Sequence, residues 1–302
     1  MRLVVALGGN ALLRRGERPD AEPQRLNVRR AVEALAPLAS LHELVITHGN
    51  GPQVGVLALE SAADPMLTSP FPLDPLGAET QGLIGYWLVQ ELGNALPGRS
   101  VAAVLTRTVV DADDPAFATP TKFVGPTYDE ATAQRVANPR GWTIAQDGAA
   151  WRRVVASPEP QRIVEIDAVR VLLDAGFVVV CAGGGGIPVA ERAPGRLEGV
   201  EAVVDKDLTS ALLAEVLEAD GLLLLTDVSA VESDFGRPGS VPLHRVTPST
   251  LRAMHFPAGS MGPKIEAACR FVERTGHFAA IGALTEATAV LAGERGTTVE
   301  DA

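Results

Sequence analysis

The sequence lacks the features of several protein classes. It has only two cysteines in 302 residues, Cys181 and Cys269, and neither belongs to a CxxC pair or to a group of metal ligands. Both are therefore interpreted as buried packing thiols rather than redox or zinc residues. No apolar run reaches membrane-spanning length without glycine, proline or charge, and the run before Gly8 is too short for a signal peptide. A cytoplasmic protein is expected.

Positive charge is also scarce. Acidic residues outnumber basic ones by 37 to 26, which gives a net charge of -11 at pH 7. Because such a chain repels phosphate backbones and anionic lipid surfaces, neither nucleic acid nor a membrane is expected as a partner. The hydrophobic content of 46% is sufficient for a large core, so the chain is predicted to fold.

Short apolar runs alternate with amphipathic stretches along most of the chain, which predicts parallel strands joined by crossover helices. The predicted strands are Leu3–Leu7, Leu44–Thr47, Val101–Leu105, Val178–Ala182, Leu222–Thr226 and Ala279–Ala283. The predicted helices are Gln24–Ala39, Glu79–Ala95, Ile163–Ala175, Leu208–Leu217 and Lys264–Thr275. The alternation is typical of a doubly wound α/β sandwich.

Two segments depart from this alternation. From Asp111 to Pro160 the sequence is rich in proline and turn residues and has no clear strand-helix period, so it is interpreted as an inserted subdomain or lid. The C-terminal segment Gly296–Val299 is predicted to add a last strand.

Lysine is the rarest charged residue. The chain has 23 arginines but only three lysines, Lys122, Lys206 and Lys264. The compact ammonium group of lysine suits a single phosphate oxygen in a crowded site, whereas arginine presents a wide planar fork. Because arginine occupies almost every other basic position, the three remaining lysines are candidates for phosphate binding. The alternative is that they are solvated surface residues, and for Lys122 the two readings are about equal on sequence alone.

Glycine-rich turns follow three of the predicted strands. They are Gly8-Gly9-Asn10, His48-Gly49-Asn50-Gly51 and Gly183 to Gly186. Glycine lets backbone amides approach an oxyanion closely, and a following helix favours negative charge. Each turn alone also fits an ordinary strand-to-helix connection, but three of them predict a ligand site at one sheet edge. None has the spacing of a dinucleotide-binding fingerprint or a P-loop, so a Rossmann oxidoreductase and a P-loop kinase are disfavoured.

Taken together, these motifs and several others resemble carbamate kinases of the amino-acid kinase superfamily. The matching segments are Ala6–Ala11, Thr47–Gly55, Thr80–Gly82 with Ile84–Tyr86, Pro120–Lys122 with Gly125–Pro126, Gly183–Pro188, Gly199–Asp207 and Gly259–Ala267. The resemblance spans nearly the whole chain.

The resemblance implies a three-layer αβα sandwich with a mainly parallel central sheet. It implies one amino-acid kinase domain over residues 1–302, with residues 111–160 as a protruding subdomain, and a homodimer. It also implies the reversible reaction of ATP and carbamate to ADP and carbamoyl phosphate, with Mg²⁺ on the nucleotide. In cells this family often runs toward ATP, and arginine metabolism is an expected context.

Site residues can be carried over from the resemblance. The acceptor and the transferring phosphoryl group would bind the two glycine turns formed by Gly8, Gly9, Asn10, Gly49, Asn50 and Gly51. The nucleotide would bind Gly183, Gly184, Asp205, Lys206, Met261 and Lys264. The catalytic set would be Lys122, Lys206, Lys264 and Asp207, and no protein side chain is expected to ligate a metal.

Elementary chemistry refines these roles. Phosphoryl transfer needs positioning and charge stabilisation, and clustered lysines need a carboxylate among them. Asp207 is the preferred candidate for that carboxylate, and Asp205 is the second choice. His48 is expected to be structural, because an anionic carbamate has no proton to give up during attack. Two alternatives stay open: a related kinase acting on another small carboxylate, and a non-catalytic nucleotide or metabolite sensor.

Overall fold

A computed structural model describes residues 1–14, 17–233, 239–256 and 261–301. Pro257, Ala258, Gly259 and Ser260, which include the start of the last matching segment, lie outside the described residues.

The strands are β1 (Arg2–Leu7), β2 (Glu43–His48), β3 (Val101–Ala103), β4 (Arg107–Val110), β5 (Lys122–Tyr128), β6 (Ile144–Asp147), β7 (Ala150–Val155), β8 (Pro160–Ile163), β9 (Val178–Val180), β10 (Ile187–Ala193), β11 (Arg196–Gly199), β12 (Gly221–Thr226), β13 (Arg245–Val246), β14 (Phe278–Ala283) and β15 (Thr297–Val299).

The helices cover much of the remaining chain, together with four short 3₁₀ turns. They are α1 (Gly9–Leu12), α2 (Ala21–Leu41), α3 (Gly51–Ala63), α4 (Leu73–Ala95), α5 (Glu130–Ala137), α6 (Ile166–Asp174), α7 (Lys206–Val216), α8 (Pro248–Arg252), α9 (Met261–Thr275) and α10 (Ala287–Leu291). No helix in the described ranges combines the length and the hydropathy needed to cross a bilayer.

The largest sheet has eight strands in the order β13-β15-β14-β12-β1-β2-β9-β3. All six predicted strand segments lie in this sheet, next to one another and mutually parallel. The predicted C-terminal strand is also present as β15, which runs antiparallel to β14. The central strands β1, β2 and β12 are apolar except at their ends, because both faces of the sheet are covered.

Alternate residues of β1 point into two separate cores, as expected for a strand covered on both faces. Leu3, Val5 and Leu7 pack with residues from α2, α4 and α10. Val4 and Ala6 pack with residues from α6, α7 and α9 on the opposite face. The predicted three-layer αβα sandwich with a mainly parallel central sheet is therefore confirmed.

Several predicted element ends differ from the observed ones for local reasons. Helix α7 begins at Lys206 rather than Leu208, because the Asp205 carboxylate accepts hydrogen bonds from the amides of residues 207 and 208 and so caps the helix there. Strand β9 ends at Val180 rather than Ala182, because Ala182 adopts a left-handed backbone with φ of 49°.

The segment from 111 to 160 contains regular structure that a strand-helix period does not reveal. Strands β5, β7 and β6 form a three-stranded antiparallel sheet, accompanied by α5. The segment is flanked by β4 and β8, which pair with each other in a second four-stranded sheet, β11-β10-β4-β8. Strands β6 and β7 form a hairpin with a short turn, so the regular spacing of strand and crossover helix seen in the main sheet is absent here.

Candidate active site

Four adjacent parallel strands end at one edge of the large sheet. Strands β12, β1, β2 and β9 are neighbours in that order, so the loops that follow them meet at the carboxyl edge. These loops carry Asp227, Gly8-Gly9, Gly49-Asn50 and Gly183 to Gly186. The edge is where open α/β sheets bind ligands, and the three glycine turns meet there as predicted.

Two of the three lysines converge on one carboxylate. Lys206, at the start of α7, donates to Asp207 Oδ1 at 2.5 Å, and Lys264, in the first turn of α9, donates to Asp207 Oδ2 at 2.9 Å. All three side chains are buried, with residue exposures of 8% or less. The arrangement matches the hypothesis that a carboxylate holds the lysines together.

Burial and charge act in opposite directions on this triad. Burial alone would raise the pKa of Asp207, but the two ammonium groups lower it well below its ordinary value, so the carboxylate stays ionised. Burial lowers the pKa of Lys206 to about 8 despite the attraction of Asp207. Burial also disfavours the charged form of Lys264, but the attraction of Asp207 is larger and raises its pKa. Two cations therefore share one anion, and their unbalanced positive charge is available to an anionic ligand.

The third lysine reaches the same helix end from the inserted segment. Lys122, the first residue of β5, donates to Asp205 Oδ2 at 2.7 Å. The other oxygen, Asp205 Oδ1, caps α7 through the amides of residues 207 and 208. Burial would raise the pKa of Asp205, but Lys122 more than compensates and lowers it. Lys122 is a quarter exposed as a side chain, so it is the most accessible of the three lysines.

The first two glycine turns lie against each other and against Lys206. The Gly8 amide donates to Leu225 O, and the Gly49 amide donates to Leu7 O. A Cβ atom on Gly49 would lie 3.0 Å from the Gly9 nitrogen and 3.6 Å from Lys206 Cδ. Glycine at position 49 therefore permits a close approach between the two loops and a lysine stem. The side chain of Asn10 lies outside the described part of the structure.

Asn50 is held from helix α4. Its Nδ2 donates to Thr80 Oγ1 at 2.8 Å, and the Thr80 hydroxyl donates to Gly77 O at 2.7 Å. Since the Thr80 proton is committed to Gly77, its oxygen must accept from Asn50, which fixes the orientation of the amide. A Cβ on Gly184 would lie 2.2 Å from Asn50 Nδ2, so the third glycine turn packs directly on this side chain.

His48 is a buried neutral residue. Its ring nitrogen Nδ1 lies 3.1 Å from Gly49 O, and a Cβ on Gly183 would lie 2.3 Å from Nε2. Burial lowers the pKa of His48 to about 4; the hydrogen bond to Gly49 opposes this and Lys206 adds to it. The ring is uncharged at neutral pH and buried, as expected of a structural histidine.

The remaining predicted residues lie at helix starts. Gly51 is the first residue of α3, and Met261 is the first residue of α9. A Cβ on Gly51 would lie 3.8 Å from Phe123 O, so the start of α3 faces the inserted segment. Gly183 and Gly184 contact His48 and Asn50 of the second glycine turn, so the structure places them against the half of the site assigned to the acceptor, although the resemblance assigns them to the nucleotide.

Sequence reasoning missed several residues that support these loops. Gln81 pairs with Thr106 through two hydrogen bonds, Gln81 Nε2 to Thr106 O and Thr106 N to Gln81 Oε1, and the Thr106 hydroxyl accepts from the Ala182 amide before the third glycine turn. Ser210 donates to Lys206 O and lies 2.6 Å from the Thr47 hydroxyl, which ties α7 to β2. Asp227 follows β12 and adds negative charge near Lys264. The position of Asp227 directly after a strand was the available sequence signal.

A preformed metal site is absent from the described residues, where no three His, Cys, Asp or Glu side chains are grouped to hold an ion. The two carboxylates nearest the lysines are both engaged in ion pairs.

Comparisons with known proteins identify the family of the chain. The model of the amino acid kinase family matches residues 1–282. The chain is 56% identical to a carbamate kinase of Rhizobium meliloti over 302 residues, covering 99% of this chain and 93% of the relative, and 51% identical to one of Haemophilus influenzae, covering 99% and 96%. A structure of carbamate kinase from Giardia lamblia bound to AMP-PNP superposes with a TM-score of 0.88 at 37% identity, covering 99% of this chain and 98% of that one. The resemblance inferred from the motifs is confirmed, and the chain belongs to the amino acid kinase family.

Proposed function

We propose that this protein is a carbamate kinase, which transfers a phosphoryl group reversibly between ATP and carbamate. The observation that carries the proposal is the buried triad in which Lys206 and Lys264 share Asp207 at the carboxyl edge of the sheet. The carbamate kinases among the relatives, at up to 56% identity over the full chain, support carbamate rather than another small acid. A non-catalytic sensor would not need to retain two buried, charged lysines at one carboxylate, because burying charge is costly.

The reaction requires positioning and charge stabilisation rather than a protein nucleophile. A carbamate oxygen attacks the γ-phosphorus of ATP, a P–O bond forms, and the bond to the β-phosphate oxygen breaks to release ADP. In the reverse direction a β-phosphate oxygen of ADP attacks carbamoyl phosphate and carbamate leaves. Charge on the transferring group is spread over three equatorial oxygens, which lysine ammonium groups stabilise. No general base is needed, and neutral, enclosed His48 fits that requirement.

Each half of the site has its own set of residues in this proposal. Gly8, Gly9, Asn10, Gly49, Asn50 and Gly51 hold the acceptor and the transferring group. Gly183, Gly184, Asp205, Lys206, Met261 and Lys264 hold the nucleotide. The catalytic residues are Lys122, Lys206 and Lys264, with Asp207 keeping two of them charged and oriented. Mg²⁺ arrives on the nucleotide phosphates as part of the substrate.

Residues 111–160 form the protruding subdomain in this proposal, within one domain over residues 1–302. Lys122 is carried on its first strand, β5, and closes over the phosphoryl group when both substrates are bound. The support is the ion pair of Lys122 with Asp205, which brings the lysine to the N-terminus of α7. A cytoplasmic location and a homodimer belong to the same proposal, and light scattering should give about twice the chain mass of 31.5 kDa.

ATP formation from ADP, Mg²⁺ and carbamoyl phosphate tests the function. We expect rapid turnover with carbamoyl phosphate, little with acetyl phosphate, and none without Mg²⁺. Preference for acetyl phosphate would support a relative acting on another carboxylate. Binding of ADP with no ATP formation from either acyl phosphate would support the sensor.

A further inference from the structure

One glycine of the long matching segment Thr47–Gly55 has no place in the phosphate site. Gly55 lies in the second turn of α3, beyond the loop that carries Gly49 and Gly51. It is buried and faces strand β5 of the inserted segment. A glycine inside a helix costs up to about 1 kcal/mol relative to alanine, so its presence there calls for a local reason.

The local reason is a backbone-to-backbone contact with Gly125 of β5. A Cβ on Gly55 would lie 1.9 Å from Gly125 Cα and 2.2 Å from its nitrogen, which is far inside any real contact distance. Gly125 has φ of +74°, a conformation that favours glycine, and it lies where the register between β5 and β7 shifts. Helix α3 and strand β5 therefore touch without an intervening side chain.

Lys122 lies on the same strand as this contact. This lysine precedes Gly125 by three residues on the same strand, and its ammonium group spans the gap to Asp205 at the start of α7. Val54 of α3 and Val124 of β5, the immediate neighbours of the two glycines, belong to one apolar cluster, so buried side chains flank the contact. A methyl group inserted at Gly55 must displace the strand or the helix, because backbone cannot move aside as a flexible side chain can.

We propose that Gly55 is a positioning residue for Lys122: its contact with Gly125 seats strand β5 close enough to α3 for the lysine to reach the phosphoryl-transfer site. The inference rests on the proposed function, in which Lys122 stabilises the transferring group. It assigns to Gly55 a role in turnover without any contact with substrate.

A double-mutant cycle tests the inference, with kcat for ATP formation and ADP affinity by calorimetry as readouts. Gly55→Ala should lower kcat about tenfold or more and change ADP affinity by less than about twofold, because Lys122 is assigned to the transferring group and not to nucleotide binding. In a Lys122→Ala background the same change should lower kcat by less than about twofold, because the lysine it positions is gone. The matched control is Gly93→Ala on α4, where no atom lies within 4 Å of the added Cβ, and it should leave kcat unchanged.

Three outcomes would overturn the inference: wild-type kcat in Gly55→Ala, an equal loss of kcat with and without Lys122, or a matching loss of ADP affinity. If Gly55→Ala does not fold, Gly125→Ala perturbs the same seam from the insert and is put through the same cycle, with the same expected and contrary results. The proposed function fails separately, when the wild-type protein makes no ATP from carbamoyl phosphate. A role for Lys122 fails separately too, when Lys122→Ala alone is fully active.

Discussion

Lys122 and Asp205 are 83 residues apart in the sequence, yet the lysine Nζ and the carboxylate Oδ2 lie 2.7 Å apart. The pair connects the inserted segment to the N-terminus of α7, directly beside Lys206. Both side chains retain some exposure, 25% for Lys122 and 14% for Asp205, so the ion pair is more accessible to an incoming anion than the buried triad. In the proposed mechanism, Lys122 leaves Asp205 for a phosphoryl oxygen when substrate binds.

The first prediction concerns this lysine. We expect both Lys122→Ala and Lys122→Arg to lower kcat, because the compact ammonium group fits beside a single phosphoryl oxygen and the wide guanidinium does not. ADP affinity measured by calorimetry should change little in either variant, since the charge of Lys122 acts mainly in the transition state. Full activity of the arginine variant would remove Lys122 from the mechanism.

The second prediction concerns the buried triad. Lys206→Ala and Lys264→Ala should each lower kcat by about 100-fold or more, because single charged donors count for several kcal/mol in such a site. Steady-state ATP formation measures the effect. Arg196→Ala is a suitable control, since its ion pair with Glu198 is on the surface and its side chain is 75% exposed. Near-normal turnover in either lysine variant would contradict the role of that lysine.

The third prediction concerns alkaline pH. Lys206 has a pKa lowered by burial to about 8, so its ammonium group is charged below that pH and loses its proton above it. If the charge binds phosphate in the free enzyme, kcat/KM should fall as the pH rises through about 8. In Lys206→Arg this alkaline decline should disappear while the plateau is lower, because arginine remains charged. An unchanged decline in that variant would assign the titration to another group.

The fourth prediction concerns the amide that Thr80 orients. Asn50→Ala should weaken the use of carbamoyl phosphate more than ADP binding, and Thr80→Val should raise the KM for carbamoyl phosphate about tenfold or less, as expected for one lost hydrogen bond. Thr80→Ser keeps the hydroxyl that accepts from Asn50 and should be close to wild type. Equal losses for carbamoyl phosphate and ADP would mean that the second glycine turn is not specific to the acceptor.

The sequence predicted the central sheet well because most of its strands are buried on both faces. Each of the six apolar runs, from Leu3–Leu7 to Ala279–Ala283, contains a strand, since a covered parallel strand is mainly apolar; the edge strand β3 is only partly buried and is shorter than its run. The same reasoning failed in residues 111–160, where β5, β6 and β7 are partly buried antiparallel strands, with α5 between β5 and β6 and a short turn between β6 and β7. Their partly polar faces hide them from a search for apolar runs.

Residues of the candidate site could be predicted when their type is rare in this sequence. They could not be predicted when their role depends only on which residues they contact in the folded chain. The scarcity of lysine identified Lys206 and Lys264, and the need for an anion between two cations identified Asp207. Neither argument could have found Thr80 or Ser210, because hydroxyl side chains are common and their roles depend on which loop they reach in three dimensions. Long-range contacts of this kind are absent from local sequence patterns.

The pairing of β4 with β8 holds the two ends of residues 111–160 together. The two strands are antiparallel partners, with Val110 opposite Pro160, so residues 111–160 begin and end at neighbouring positions of one sheet. Because the two ends of this segment are close together, a tight turn can replace it without stretching the remaining chain. We therefore expect a protein truncated in this way to keep its eight-stranded sheet and the Asp207 triad. It should still bind nucleotide but no longer transfer the phosphoryl group.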